Sequence, residues 1–170
     1  NISKARDFRR NYNTDNAPIF GMDRYQYQYI SDNFPNTIEY SKDHIKIFTV
    51  DIECACENGF PDVENPVEEI LAVTVKNQSN KQIITWGTGE FKTDRPDVTY
   101  IRCKSEKSLI MEFMKFWIKN YPDIITGWNT KFFDIPYLMN RICHIVDEKV
   151  IKRFSPWNLV ERESIVCLLY

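Results

Sequence analysis

Apolar positions set the outline of the chain. In HIKIFTVDIECAC (44–56), Ile45, Ile47, Phe48, Thr49, Val50 and Ile52 form a β-favouring run too apolar for an edge strand. EEILAVTVKN (68–77) and KQIITWGTG (81–89) predict two more strands joined by the turn NQSNK, and VTYIRC (98–103) a short fourth. The period then changes. In SEKSLIMEFMKFWIKNYP (105–122), Leu109, Ile110, Phe113, Met114, Trp117 and Ile118 recur at helical spacing. Ser105 stands at the N-cap, the helix opens on Glu106, and Pro122 follows its end. DIITGW (123–128) predicts a strand, and KFFDIPYLMNRICHIV (131–146) a helix with Pro136 in its first turns.

The flanks are less patterned. Residues 1–20 are polar and mixed in charge, with RRNYNTDNAP reading as loop. YQYQYI (25–30) alternates strictly and predicts a strand; DNFPN (32–36) reads as a turn and TIEYS (37–41) as a partner strand. KDH, near 42–45, marks a domain boundary, and the tail from Ile151 allows a further strand pair. Three or four consecutive strands, then helix, strand and helix, give an α/β fold class with a mixed sheet.

Composition adds limits. In 170 residues, 43% hydrophobic and 14% aromatic content suffices for a packed core and argues against disorder. A net charge of -2 gives no global field for nucleic acid, though local patches remain open. There is no apolar run of about 18 residues and no signal-peptide pattern, so no membrane span is expected. The start at Asn1 rather than Met reads as a fragment or a processed chain. Five scattered cysteines (Cys54, Cys56, Cys103, Cys143 and Cys167) argue for a reducing compartment over a disulfide framework. Cys54 and Cys56 are expected on one strand face. With His44 and His144 unpaired, buried small thiols are a better reading than structural zinc.

The chemistry-bearing groups are carboxylates. Period two puts Asp51 and Glu53 on one face of the first strand, where they repel unless a cation is shared. Hard divalent metals are bound by such oxygens, yet acidic pairs on exposed strand faces are common. Asp134 opens a helix among Phe132, Phe133, Ile135, Tyr137 and Leu138. A carboxylate there calls for a cap position, a salt bridge or a metal; the plain reading is a first-turn acid favoured by the helix dipole. Asn129 reads as a capping residue before it reads as a ligand contact. Three carboxylates from separate elements suit two-metal phosphoryl chemistry, with ions about 4 Å apart. No Gly-rich phosphate cradle is present, so ATP binding has no support.

FTVDIE together with TGWNTKFFDIPYL resembles the first two exonuclease motifs of family B DNA polymerases, in particular the replicative polymerases of tailed bacteriophages. The Asn followed by an aromatic–Asp pair is the more specific element. The segment 21–53, NGFPD (58–62) and KRFSPW (152–157) are similar to the same group, and the resemblance covers about residues 20–160. It implies a ribonuclease-H-like 3′→5′ proofreading exonuclease. Residues 1–44 would end the polymerase's N-terminal domain and 45–170 would be a partial exonuclease domain. Asp51, Glu53 and Asp134 would be the catalytic, metal-binding carboxylates for two Mg2+ or Mn2+ ions. Phe60, Asn129 and Phe133 would face nucleic acid, Phe60 by stacking on 3′-terminal bases, unless it is a hydrophobic loop anchor. The implied partner is the single-stranded 3′ end of a DNA primer. A sliding clamp and a single-strand-binding protein would join the intact polymerase, in the cytoplasm of the host cell if it is viral.

The departure is the third motif, Tyr-x-x-x-Asp, which has no match before Tyr170. The expectation is a polymerase fragment that cannot polymerise and has weak or no exonuclease activity alone. An apolar sheet edge left open would favour self-association. Competing readings are a free-standing ribonuclease-H-like exonuclease, which lacks its closing His or Tyr near a final Asp, a non-catalytic nucleic-acid-binding module, and a plain α/β domain with coincidental acids.

Overall fold

The computed structural model describes residues 4, 7–8, 11–12, 25–37, 39, 41–163 and 166–169. Two compact units divide at Asn1–Ser41 and Lys42–Tyr170. In the first, helix α1 spans Tyr25–Asn33. This corrects the strand expected from YQYQYI. Alternation specifies a strand only where alternate side chains are buried, and Tyr27 and Tyr29 are 51% and 61% exposed. Among the described residues this segment joins no sheet, and local bonds prevail: Gln28 Nε2 donates to Asp32 at 2.7 Å and Asn33 Nδ2 to the Tyr29 carbonyl at 2.8 Å. Lys4, Asp7, Phe8 and Asn11 are helical as well, within a stretch read as loop. Of the expected partner strand, Thr37, Glu39 and Ser41 are not in a strand, and Ile38 and Tyr40 lie outside the described residues.

The second unit holds a five-stranded mixed sheet, the α/β class read from the sequence. Its strands are β1 (Ile47–Cys54), β2 (Ile70–Asn77), β3 (Ile83–Gly87), β4 (Val98–Arg102) and β5 (Ile124–Thr126), in the order β4-β3-β2-β1-β5. β1, β2 and β3 pair antiparallel; β4 runs parallel to β3 and β5 parallel to β1. Helix α2 spans Glu106–Asn120, α3 Asp134–Ile145 and α4 Glu148–Lys152. β6 (Val160–Glu163) and β7 (Val166–Leu169) form a separate antiparallel pair. Among the described residues, no helix is long and apolar enough to cross a membrane.

The α2 pattern folds as its spacing dictates. Ser105 accepts from the Ser108 N–H, and Leu109, Ile110, Phe113, Met114 and Trp117 are buried. They meet Phe48, Val50, Ile52, Val73, Val75 and Trp86 of the sheet in one cluster, with α3 adding Ile135, Leu138 and Ile142. Trp117 stacks on Phe154 at 4.6 Å and donates its indole N–H to the Phe154 carbonyl at 2.8 Å, which pins the chain after α4. β1 therefore buries its even-numbered side chains and exposes Asp51 and Glu53 on the opposite face. A register shift between Glu53 and Cys54 ends that alternation, so Cys54 is half-buried while Cys56, beyond the strand, is exposed.

Candidate active site

Among the described residues, one side of β1 is paired over only part of its length, and the site is built on the remainder. β5 pairs only with Ile47–Thr49. Beyond Thr49, the groups on that side of β1 need other partners. Thr130 Oγ1 donates to the Val50 carbonyl at 3.5 Å, and the Ile52 N–H donates to Asp134 Oδ1 at 3.2 Å. Gly127 makes this turn possible: a Cβ there would collide with the Thr130 hydroxyl and stand 2.6 Å from the Val50 carbonyl. The strand expected over 123–128 is accordingly shorter.

Asn129 is not a cap. Phe133 occupies the N-cap of α3 without a side-chain hydrogen bond. Asn129 instead offers its backbone carbonyl to the N–H groups of Phe132 (3.0 Å) and Phe133 (2.8 Å), and its side chain is exposed. This turn delays α3 to Asp134, three residues after the predicted start. Phe132, read as part of the apolar surround of Asp134, is 60% exposed; the Lys131 ammonium lies 5.4 Å from its ring centre.

Asp134 is buried, and burial raises its carboxyl above the ordinary range. The Ile52 N–H opposes that shift; the charges of Asp51 and, more weakly, Glu53 add to it. The same negative field reaches Cys54, whose thiol is pushed up to about 12, chiefly by burial and then by Cys56, Glu106, Glu53 and Asp134. The buried cation of α3, Arg141, is already held by Glu106. Oxygen donors in a negative field suit a hard divalent cation. They are not gathered into a cage, however: among the described residues, no three His, Cys, Asp or Glu side chains stand together so as to hold a metal ion.

An aromatic column rises beside Asp134. Tyr137 is buried and stacks on Phe133 at 5.4 Å, and Phe133 meets Phe60 at 5.3 Å. Phe60 is 83% exposed in the loop between β1 and β2, next to Gly59 at φ +103°. Sequence reasoning missed what holds this loop. Tyr137 Oη donates to the Glu68 carbonyl (2.7 Å), Asn140 Nδ2 to Val63 (2.8 Å), and Arg141 Nη1 to Pro66 and Val67 (2.8 and 2.9 Å). The Glu68 carboxylate accepts from the N–H groups of Glu57 and Asn58 and from Asn58 Nδ2, and the Asn58 side chain leads in holding it below the usual carboxylate range. The available signal was the spacing of Tyr137, Asn140 and Arg141, which puts three polar groups on one helix face.

Comparison with known proteins places the chain in a family. Residues 4–165 match the family described as DNA polymerase family B, exonuclease domain. The DNA-directed DNA polymerase of Escherichia phage RB69 is 32% identical over 161 residues, covering 80% of this chain and 18% of the phage protein. That of Enterobacteria phage T4 is 29% identical over 189 residues, covering 96% and 21%. The DNA polymerase delta catalytic subunit of Dictyostelium discoideum is 38% identical over 137 residues, covering 70% and 12%. The chain thus spans about a fifth of the length of the phage relatives.

Proposed function

The chain belongs to the exonuclease domains of the family B DNA polymerases, and we propose that it contributes the first two carboxylate motifs of a 3′→5′ proofreading site. The carrying observation is Asp134: a buried carboxyl met by backbone N–H groups, that of Ile52 foremost, with two more acids acting on it. Asp51, Glu53 and Asp134 would hold Mg2+ or Mn2+. When bound, such ions supply a water of lowered pKa and stabilise the charge that develops at phosphorus. The chain's own residues do the rest. The Ile52 N–H fixes one Asp134 oxygen, and Thr130 closes the strand edge beneath it. Phe60, backed by Phe133, offers an exposed ring to the terminal base of a single-stranded primer 3′ end, with Asn129 exposed at the start of the same turn.

Residues 1–44 then belong to the end of the N-terminal domain and 45–170 to the exonuclease domain. The sliding clamp and the single-strand-binding protein are partners of the intact polymerase. A second reading, a nucleic-acid-binding module without turnover, draws on the ungathered acids.

Calorimetric titration with Mn2+ tests the carboxylates. Asp134→Ala is expected to weaken binding and keep the fold; equal affinity in the two proteins counts against the proposal.

A further inference from the structure

Asp134 and Arg141 lie seven residues apart on α3, two turns along one stripe. Arg141 is the centre of a buried junction. Its Nε and Nη2 bind both oxygens of Glu106 at 2.7 and 2.8 Å, and Nη1 holds two loop carbonyls. Glu106 Oε1 also accepts the N–H of Ile70, the first residue of β2, at 2.7 Å. The fork thus joins the start of α2, the start of β2, the returning limb of the loop and α3. Tyr137 and Asn140 add two more loop carbonyls from the same face. The tip meets α3 through the rings of Phe60 and Phe133.

We propose that the Arg141–Glu106 pair is a positioning device: it sets the Phe60 platform against the Asp134 carboxylate, so that a 3′-terminal base and the acids are held in one frame. This rests on the proofreading reading above. A buried ion pair is weak evidence for stability alone, since apolar residues fill such space as well. A guanidinium fork differs in fixing direction, which a lysine cannot copy. Arg141 is a positioning residue. It acts through the loop and stands apart from the reacting atoms.

The test uses the whole chain and an oligonucleotide carrying 2-aminopurine either at its 3′ terminus or five nucleotides inward. Stacking on Phe60 quenches the terminal probe and spares the inner one. Arg141→Lys is expected to lower affinity for the 3′-labelled strand about tenfold and to remove the terminal quench, with Mn2+ affinity unchanged. Tyr137→Phe, which removes only the Glu68 contact, gives a smaller loss in the same direction and covers the case in which Arg141→Lys does not fold. Adding Arg141→Lys to Phe60→Ala costs little more than Phe60→Ala alone, because both act through one ring. Additive losses overturn the proposal, as does a fall in Mn2+ affinity parallel to that for DNA. A wild-type chain without the terminal quench overturns the proofreading reading itself. A wild-type quench that survives Arg141→Lys overturns only the positioning role.

Discussion

The two ends of α3 each bury a charge, and they treat it oppositely. At the C-terminal end, Arg141 is neutralised by a two-pronged carboxylate and spends further N–H groups on carbonyls. At the N-terminal end, Asp134 has only backbone N–H groups, that of Ile52 and its own, and the nearby charges that shift it are acids. The first arrangement is complete within the protein. The second leaves a negative field that a bound cation would balance. Burial alone therefore does not single out a candidate functional charge; burial without an internal counter-charge does.

The sharpest way to break the contrast is to truncate each charge. Arg141→Ala strands Glu106 in the interior and is expected to cost about 3–5 kcal/mol in urea denaturation. Asp134→Ala relieves a repelled acid and should cost far less. If the two lose equally, the distinction between the ends fails. Metal binding reverses the ranking: Asp134→Asn should lower Mn2+ affinity about tenfold or more by calorimetry, since even outer-shell changes cost that much. Glu106→Gln should leave it nearly unchanged.

A third comparison separates the loop tip from the core. Phe60→Ala should weaken binding of a single-stranded 3′ end by about 1–3 kcal/mol, measured by fluorescence anisotropy. Its unfolding free energy should stay within about 0.5 kcal/mol of the parent, because the ring is exposed.

The smallest effect is on pH dependence without metal. Asp134 is an acid whose folded pKa lies above its unfolded value, with burial as the main cause. Folding then favours the protonated form. Its contribution is greatest below the unfolded pKa and is lost as pH rises through the folded one. Asp134→Asn should flatten that acid-side decline and make the metal-free chain slightly more stable at neutral pH. Glu68 has the opposite sign: its lowered pKa makes the loop clamp strongest above the ordinary carboxylate range and loosens it as pH falls. Hydrogen exchange of residues 57–68 against pH reads this directly.

Much of this was legible in the chain. The α2 stripe, the Ser105 cap and the apolar β1 run are local patterns, and each formed where its period indicated. The family was legible too, because its motifs are short and contiguous. The failures were also local. YQYQYI (25–30) alternates, yet among the described residues no sheet face takes it, and periodicity cannot report which partner surface a segment will meet. Asn129 suggested a cap by residue type, but the turn uses its backbone carbonyl, and any residue has one.

By itself, the sequence determined which segments could form strands and helices, which acids lay near one another on β1, and that Asp134 followed a turn. Those properties depend on neighbours a few residues apart. The fold alone decided that Asp134 would cap an N–H 82 positions away, and that Arg141 would find Glu106 across 35. A buried charge is fixed by whichever partner the sheet and helices bring to it, and that partner is set by register and packing rather than by adjacency in the chain.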